Sequence, residues 1–305
     1  MQPMKTALWL MSALLLAAGA SAFEHRILAL TPSPQLERDL ERAAALGATI
    51  VVVPATENYV PWPGGSLAAE SRRNRAQLAG WARAAHARGL KLLVMGDEFL
   101  YLPAEARRAG FRLSVKDERL WQFLAQKYRN LLRAVPELDG VACRLGEQIP
   151  HGEFRTLDLI HSPETPPDPR IEERYQKFLR VMHGVVVGEF GKLYLHRTWV
   201  TNDYEQHSVA PILRRSLEGV LQKNLLVAIK ITRGDQWYYA EPFNETLGAV
   251  LHATVAQVEL YGSYHGYGTM ADFPARYFQA GLEFAAERGA SGAMAGLSAR
   301  AALLD

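Results

Sequence analysis

Short apolar runs alternate with longer amphipathic stretches along most of this chain. Runs rich in β-branched residues and bounded by turn formers predict strands at Arg26–Leu30, Ala48–Val53, Leu90–Met95, Gly140–Leu145, Lys192–Trp199, Leu225–Ile231, Val255–Tyr261 and Ala293–Leu297. Apolar positions at helical spacing predict helices over Pro34–Leu46, Ser71–Arg88, Glu118–Val135, Arg170–Phe190, Pro211–Gln222 and Ala275–Arg288. Ser33 and Asp117 are placed as N-caps, and Gly47, Gly89, Gly191 and Gly289 stand where helices end.

Strands separated by helical segments at a spacing of about 35 residues call for parallel strands joined by crossovers. The count of eight predicts an α/β fold of the (β/α)8 TIM-barrel type rather than an open doubly wound sheet. No Gly-x-Gly-x-x-Gly follows a strand, which argues against a dinucleotide fold, and no Gly-x-Ser-x-Gly elbow argues for an α/β-hydrolase. Few residues follow Leu297, so the barrel is expected without its last helix. The helix-to-strand connections are short. The strand-to-helix connections are long and hold most of the Trp, Tyr, His, Asp and Glu, which puts the chemistry on the carboxyl-end face of the barrel.

Composition narrows the class. The chain has 305 residues, 49% hydrophobic and 22% charged, with a net charge of +2 and no basic block. Nothing in it favours nucleic acid or a membrane surface. Cys143 is the one cysteine, so no disulfide framework exists within the chain. Lys5, the apolar run Ala7–Ala18 and Ala20-Ser21-Ala22 have the order of a secretory signal. This predicts a signal peptide at 1–22, a single barrel domain at 23–305, a periplasmic or secreted location and no stable membrane insertion after cleavage. An uncleaved N-terminal anchor is the other reading of that segment.

The candidate chemistry gathers at strand ends. Lys230 ends the sixth strand, and Asp235, Trp237 and Tyr238 follow it. Aromatic faces stack on sugar rings, a carboxylate does acid or base work, and a cation neutralises an anionic substrate. Glu147, just past the fourth strand, is a candidate general acid or an ion-pair partner of Arg144. Asp235 is a candidate base or a turn cap. An inverting pair of carboxyls stands roughly 6.5–9.5 Å apart, a separation that strands four and six of a barrel can supply. Arg144, Arg197 and Lys230 fall on three successive strands. They read as ion-pair partners of Glu147 and Asp235 or as a pocket for a substrate carboxylate. Asp97 and Glu98 are expected to line the site at the mouth of the third strand, and Glu259 reads as a structural ion pair. Trp62, Tyr264 and His265 are further candidate sugar contacts, His265 being equally a surface-loop residue. Asp203, Glu205 and His207 form a polar cluster too sparse to predict a metal site. No cofactor is expected.

The stretch Ile229–Gly268 resembles glycoside hydrolase family 67, the α-glucuronidases. Lys230, Asp235, Glu241-Pro242-Phe243 and Gly248 are similar to one family motif. Glu259-Leu260 and Ser263-Tyr264-His265-Gly266 are similar to the next. Glu147-Gln148-Ile149-Pro150 is similar to the general-acid segment, and the fifth-strand arginine of the family falls on Arg197. The resemblance implies an inverting (β/α)8 glycosidase with Glu147 as acid, Asp235 as a base carboxylate, and Arg197 and Lys230 against a uronate. Two positions depart from it. The second base carboxylate of the family falls on Ser263, and Arg144 lies one position from where the family has a lysine. The expectation is an exported glycosidase acting on an acidic oligosaccharide. Its alternatives are a catalytically lapsed barrel that binds one, and an exported barrel of unrelated chemistry.

Overall fold

Successive residues of a strand face opposite sides of the sheet. In this chain that alternation sorts the strand residues into two separate apolar clusters. The computed structural model describes residues 23–54, 69–98, 110, 117–145, 171–199, 206–234, 242–259 and 275–297. The strands are β1 (His25–Leu30), β2 (Ile50–Val53), β3 (Lys91–Glu98), β4 (Gly140–Leu145), β5 (Leu193–Arg197), β6 (Leu225–Lys230), β7 (Ala253–Glu259) and β8 (Gly292–Leu297). Each pairs in parallel with its neighbours in chain order, and β8 pairs with β1 to close the barrel. The predicted signal segment, and any helix after Leu297, lie outside the described residues.

One cluster fills the barrel. Ile27, Ile50, Val52, Leu93, Ala142, Leu195, Leu226, Ala228, Val255 and Met294 pack against one another inside it. The intervening residues, among them Leu28, Val51, Leu92, Val141, Val227 and Ala256, face outward to the helices. Each fully buried Leu or Ile on these layers contributes roughly 1.5–3 kcal/mol. The bottom of the barrel needs small residues. A Cβ on Gly140 would lie 2.0 Å from the carbonyl oxygen of Leu193, its register partner on β5.

Six α-helices occur among the described residues: α1 (Leu36–Ala45), α2 (Ala69–His86), α3 (Glu118–Ala134), α4 (Ile171–His183), α5 (Ala210–Leu217) and α6 (Ala275–Glu287). The α1 stripe of Leu36, Leu40 and Ala43 is buried at the expected spacing. Asp117 caps α3, its carboxylate accepting from the Arg119 amide at 3.1 Å. Gly47 ends the α1 segment in the left-handed region, at φ +78°.

Two elements differ from the sequence expectation. The helix predicted over Arg170–Phe190 leaves α-geometry at His183, and Gly184–Glu189 is a π-helical turn. Glycines and three successive valines disfavour regular α-helix, and the widened turn buries Val185, Val186 and Val187 together. Strand β3 continues through Gly96 to Glu98 instead of ending at Met95, because Asp97 and Glu98 stay in register with Arg144 and Leu145 of β4.

Between β6 and β7 the described residues form turns rather than a helix. Thr232 and Phe243 make an antiparallel bridge there. Gly248, which the family resemblance marks as a motif glycine, has a backbone reason to be glycine. Its φ is +70°, and a Cβ would lie 2.0 Å from the carbonyl oxygen of Arg288. Gly248→Ala is expected to lower stability by well over about 1 kcal/mol in urea unfolding, since neither the conformation nor the space admits a side chain.

Candidate active site

The inward-facing parity that places Leu93, Ala142, Leu195, Leu226 and Val255 in the barrel core also selects Asp97, Arg144, Arg197, Lys230 and Gln257 one or two steps nearer the carboxyl ends. Five adjacent strands, β3 to β7, therefore deliver polar groups to the barrel mouth. Arg144 grips Asp97 in a two-point fork, Nε donating to Oδ1 at 2.8 Å and Nη2 to Oδ2 at 2.7 Å. Arg197 Nη1 donates to Oδ1 at 3.2 Å. Arg144 Nη1 also reaches the Trp199 carbonyl at 3.4 Å. Lys230 completes the ring of cations, its Nζ lying 4.3 Å from the centre of the Trp199 ring.

Burial alone would raise the Asp97 pKa. The charge and hydrogen bonds of Arg144, then the charges of Arg197 and Lys230, override it and hold the carboxyl at about 2. Asp97 keeps 27% of its side-chain surface exposed, while the Arg144 and Arg197 side chains keep under a tenth. It is an anion at any ordinary pH, so it cannot serve as a general acid. It orients the two guanidinium groups.

The sequence reads Arg144, Arg197 and Lys230 as ion-pair partners of Glu147 and Asp235 or as an anion pocket; among the described residues Asp97 is a carboxylate that Arg144 and Arg197 share. Glu147, Asp235, Trp237, Tyr238, Trp62, Ser263, Tyr264 and His265 lie outside the described residues, as do Asp203 and Glu205. Glu98, expected to line the site beside Asp97, points the other way. One residue along the strand reverses the face, and Glu98 is buried between the barrel wall and α3. There it takes Lys127 Nζ at 2.8 and 2.9 Å and the Tyr128 hydroxyl. Cys143 lies in the same layer, 3.3 Å from the Tyr128 oxygen. Burial, then the nearby Glu98 charge, pushes its thiol well up, so it stays protonated and unreactive.

His207 is also placed by the structure. It is fully buried, with Nε2 donating to the Thr232 carbonyl at 3.0 Å and Nδ1 3.0 Å from Thr198 Oγ1. Both of its ring nitrogens are engaged within the protein. Among the described residues no group of three His, Cys, Asp or Glu is arranged to hold a metal, and no helix is long and apolar enough to cross a membrane. On the outer wall His196 sits between Tyr194 and Gln206. Burial lowers its pKa to about 4 against the Gln206 hydrogen bond, so it is neutral near pH 7.

Sequence reasoning passes over Trp199, Gln257 and Asn244. Two of them carry a signal: Trp199 shares strand parity with Arg197, and Gln257 is a lone polar residue at an inward position of an apolar strand. Asn244 has no local signal, since its partners come from distant loops.

The chain matches no family profile, and no curated protein matches it. Solved structures do match. A glycoside hydrolase family 5 enzyme from Prevotella bryantii B14, in complex with a xyloglucan tetradecasaccharide, aligns at 12% identity and TM-score 0.56 over 92% of this chain and 91% of its own. A GH18 chitinase from Pseudoalteromonas aurantia aligns at 12% identity and TM-score 0.52 over 88% and 93%. An O-GlcNAc hydrolase from Thermobaculum terrenum aligns at 12% identity and TM-score 0.53 over 90% of this chain and 55% of its own. At these identities the likeness establishes the (β/α)8 fold.

Two outcomes follow from this geometry. Asp97 has a folded pKa of about 2 against 3.8 for the free group. Its stabilisation, on the order of 2 kcal/mol, is full above pH 4 and is lost as pH falls through 2. Urea midpoints measured across that window should fall more steeply for the native protein than for Asp97→Asn. Lys127→Met leaves Glu98 buried without its cation and is expected to cost about 3–5 kcal/mol, with Glu98→Gln in the same chain restoring part of it.

Proposed function

We propose that the protein is an exported glycoside hydrolase acting on uronic-acid-bearing oligosaccharides. The observation that carries this reading is the convergence of Arg144, Arg197 and Lys230 on one end of the barrel beside the indole of Trp199. Active sites of such barrels lie at that end. Guanidinium and ammonium groups held there suit a carboxylate, and an aromatic wall suits a sugar. Solved barrels of similar fold, named as hydrolases of chitin and O-GlcNAc or bound to xyloglucan, favour a glycan over other substrates. Export rests on the charged, apolar and small-residue order of positions 1–22.

In this reading Arg197 and Lys230 hold the uronate, and Asp97 keeps Arg144 and Arg197 aimed. Asp97 stays ionised at ordinary pH, so protonation of the leaving oxygen falls to Glu147, two residues past the end of β4. Asp235, five residues past β6, takes the proton from the attacking water. Ser263, standing where the resemblance places a second base carboxylate, favours a second reading: a barrel that binds an acidic glycan without cleaving it.

Incubation of the protein with glucuronic- and galacturonic-acid oligosaccharides separates the two. Released uronic acid, of inverted anomer, is the expected result, and both Glu147→Gln and Asp235→Asn should abolish release while binding survives. Binding without release selects the second reading. Arg197→Ala and Lys230→Met are each expected to weaken uronate binding by about 10- to 100-fold and to leave a neutral xylo-oligosaccharide unaffected. Absence of any acidic-glycan binding would overturn the proposal.

A further inference from the structure

Lys230 reaches the barrel mouth from the end of β6, and two of its contacts, one of the backbone and one of the ammonium, lead to the same neighbour. Its backbone carbonyl accepts a hydrogen bond from Asn244 Nδ2 at 3.2 Å. Its Nζ lies over the face of Trp199. That neighbour is His207. Asn244 Nδ2 donates to the His207 carbonyl at 2.9 Å, and Thr246 Oγ1 donates to the same oxygen at 2.7 Å. The His207 ring meets Trp199 edge-on, with centroids 5.0 Å apart and planes at 86°. Its Nε2 holds the Thr232 carbonyl just beyond β6, and Nδ1 meets the Thr198 hydroxyl just beyond β5.

We infer that His207 is a positioning residue for the anion-binding site: it braces the Trp199 indole from the side and thereby sets the platform on which the Lys230 ammonium rests. The geometry favours this over a purely local structural role. A hydrogen-bonded core histidine has no need to touch an indole that carries a site cation. Here a single imidazole joins the exits of β5 and β6 and meets that indole nearly at right angles. His207, Thr198, Asn244 and Thr246 are all essentially inaccessible, so the brace is shielded from competing water. An edge-to-face contact is lost if either ring tilts, and a cation over a ring face is equally sensitive to tilt. The role in substrate contact rests on the function proposed above; the role in placing Lys230 does not.

The test is built to separate the two. The full chain is labelled with 13C at the lysine ε-carbons, and the ε-proton resonance that disappears in Lys230→Arg is assigned to Lys230. Seated over an indole, it is expected upfield of the other lysines. In His207→Gln the terminal amide replaces the Nε2 donor to Thr232 and the ring edge is removed. The Lys230 resonance should then move at least half-way back towards the other lysines. An unmoved resonance overturns the inference. His207→Phe keeps an edge against Trp199 and should retain most of the upfield shift if it folds; loss of the shift in a folded His207→Phe also overturns it. Trigalacturonic acid is the second probe. Its affinity should fall roughly tenfold in His207→Gln, a loss of the size a displaced cation–π partner gives. A collapsed shift with unchanged trigalacturonate affinity keeps His207 as the brace and removes Lys230 from uronate binding, so the role given to Lys230 in the proposed function fails and the inference stands.

Discussion

Asp97 is the counter-ion on which the barrel mouth depends. Two buried guanidinium groups from successive strands would repel one another and lose much of their hydration. A carboxylate gripped by one in a fork and touched by the other offsets both costs. The depressed pKa of Asp97 reports the same balance from the side of the anion, with the neighbouring cations outweighing a burial penalty of opposite sign. Because Asp97 pairs in register with Arg144 across β3 and β4, the backbone ladder and the ion pair reinforce one geometry.

The same strand end carries a second carboxylate on its other face. Glu98 meets Lys127 and Tyr128 from α3 on the outside of the wall, while Asp97 meets Arg144 and Arg197 on the inside. Adjacent acids on a strand each need a partner on their own side, and α3 supplies the outer one. The end of β3 is thus pinned from both faces. This explains how an acidic dipeptide continues a strand where the sequence alone predicts that the strand has ended.

The barrel was legible because its evidence is repeated along the chain: eight apolar runs, punctuating glycines, and connections long on one side only. Strand parity read from the sequence also brings Arg144, Arg197 and Lys230 to one end. That Asp97 joins Arg144 and Arg197 was not legible. It requires the β3–β4 register, which no local pattern encodes. His207 and Asn244 were obscure for a related reason. A lone histidine and a lone asparagine in loops look alike whether they face solvent or are buried among carbonyls 12 to 37 residues away. The π-helical turn was visible as a composition, Gly-Val-Val-Val-Gly, but not as a geometry, since the same residues at helical spacing fit an ordinary helix end.

The Thr232–Phe243 bridge has a consequence for how such a barrel changes over time. It fastens the two ends of the β6–β7 excursion to each other at the rim, and Asn244 ties the returning end to the backbone of β6. The closure cost of a chain segment grows only slowly with its length once its ends are held. The entropy of closing the segment between the two anchors is therefore only weakly sensitive to its length. Changes of length between the anchors thus cost little closure entropy, while the anchors themselves answer to the backbone of β6.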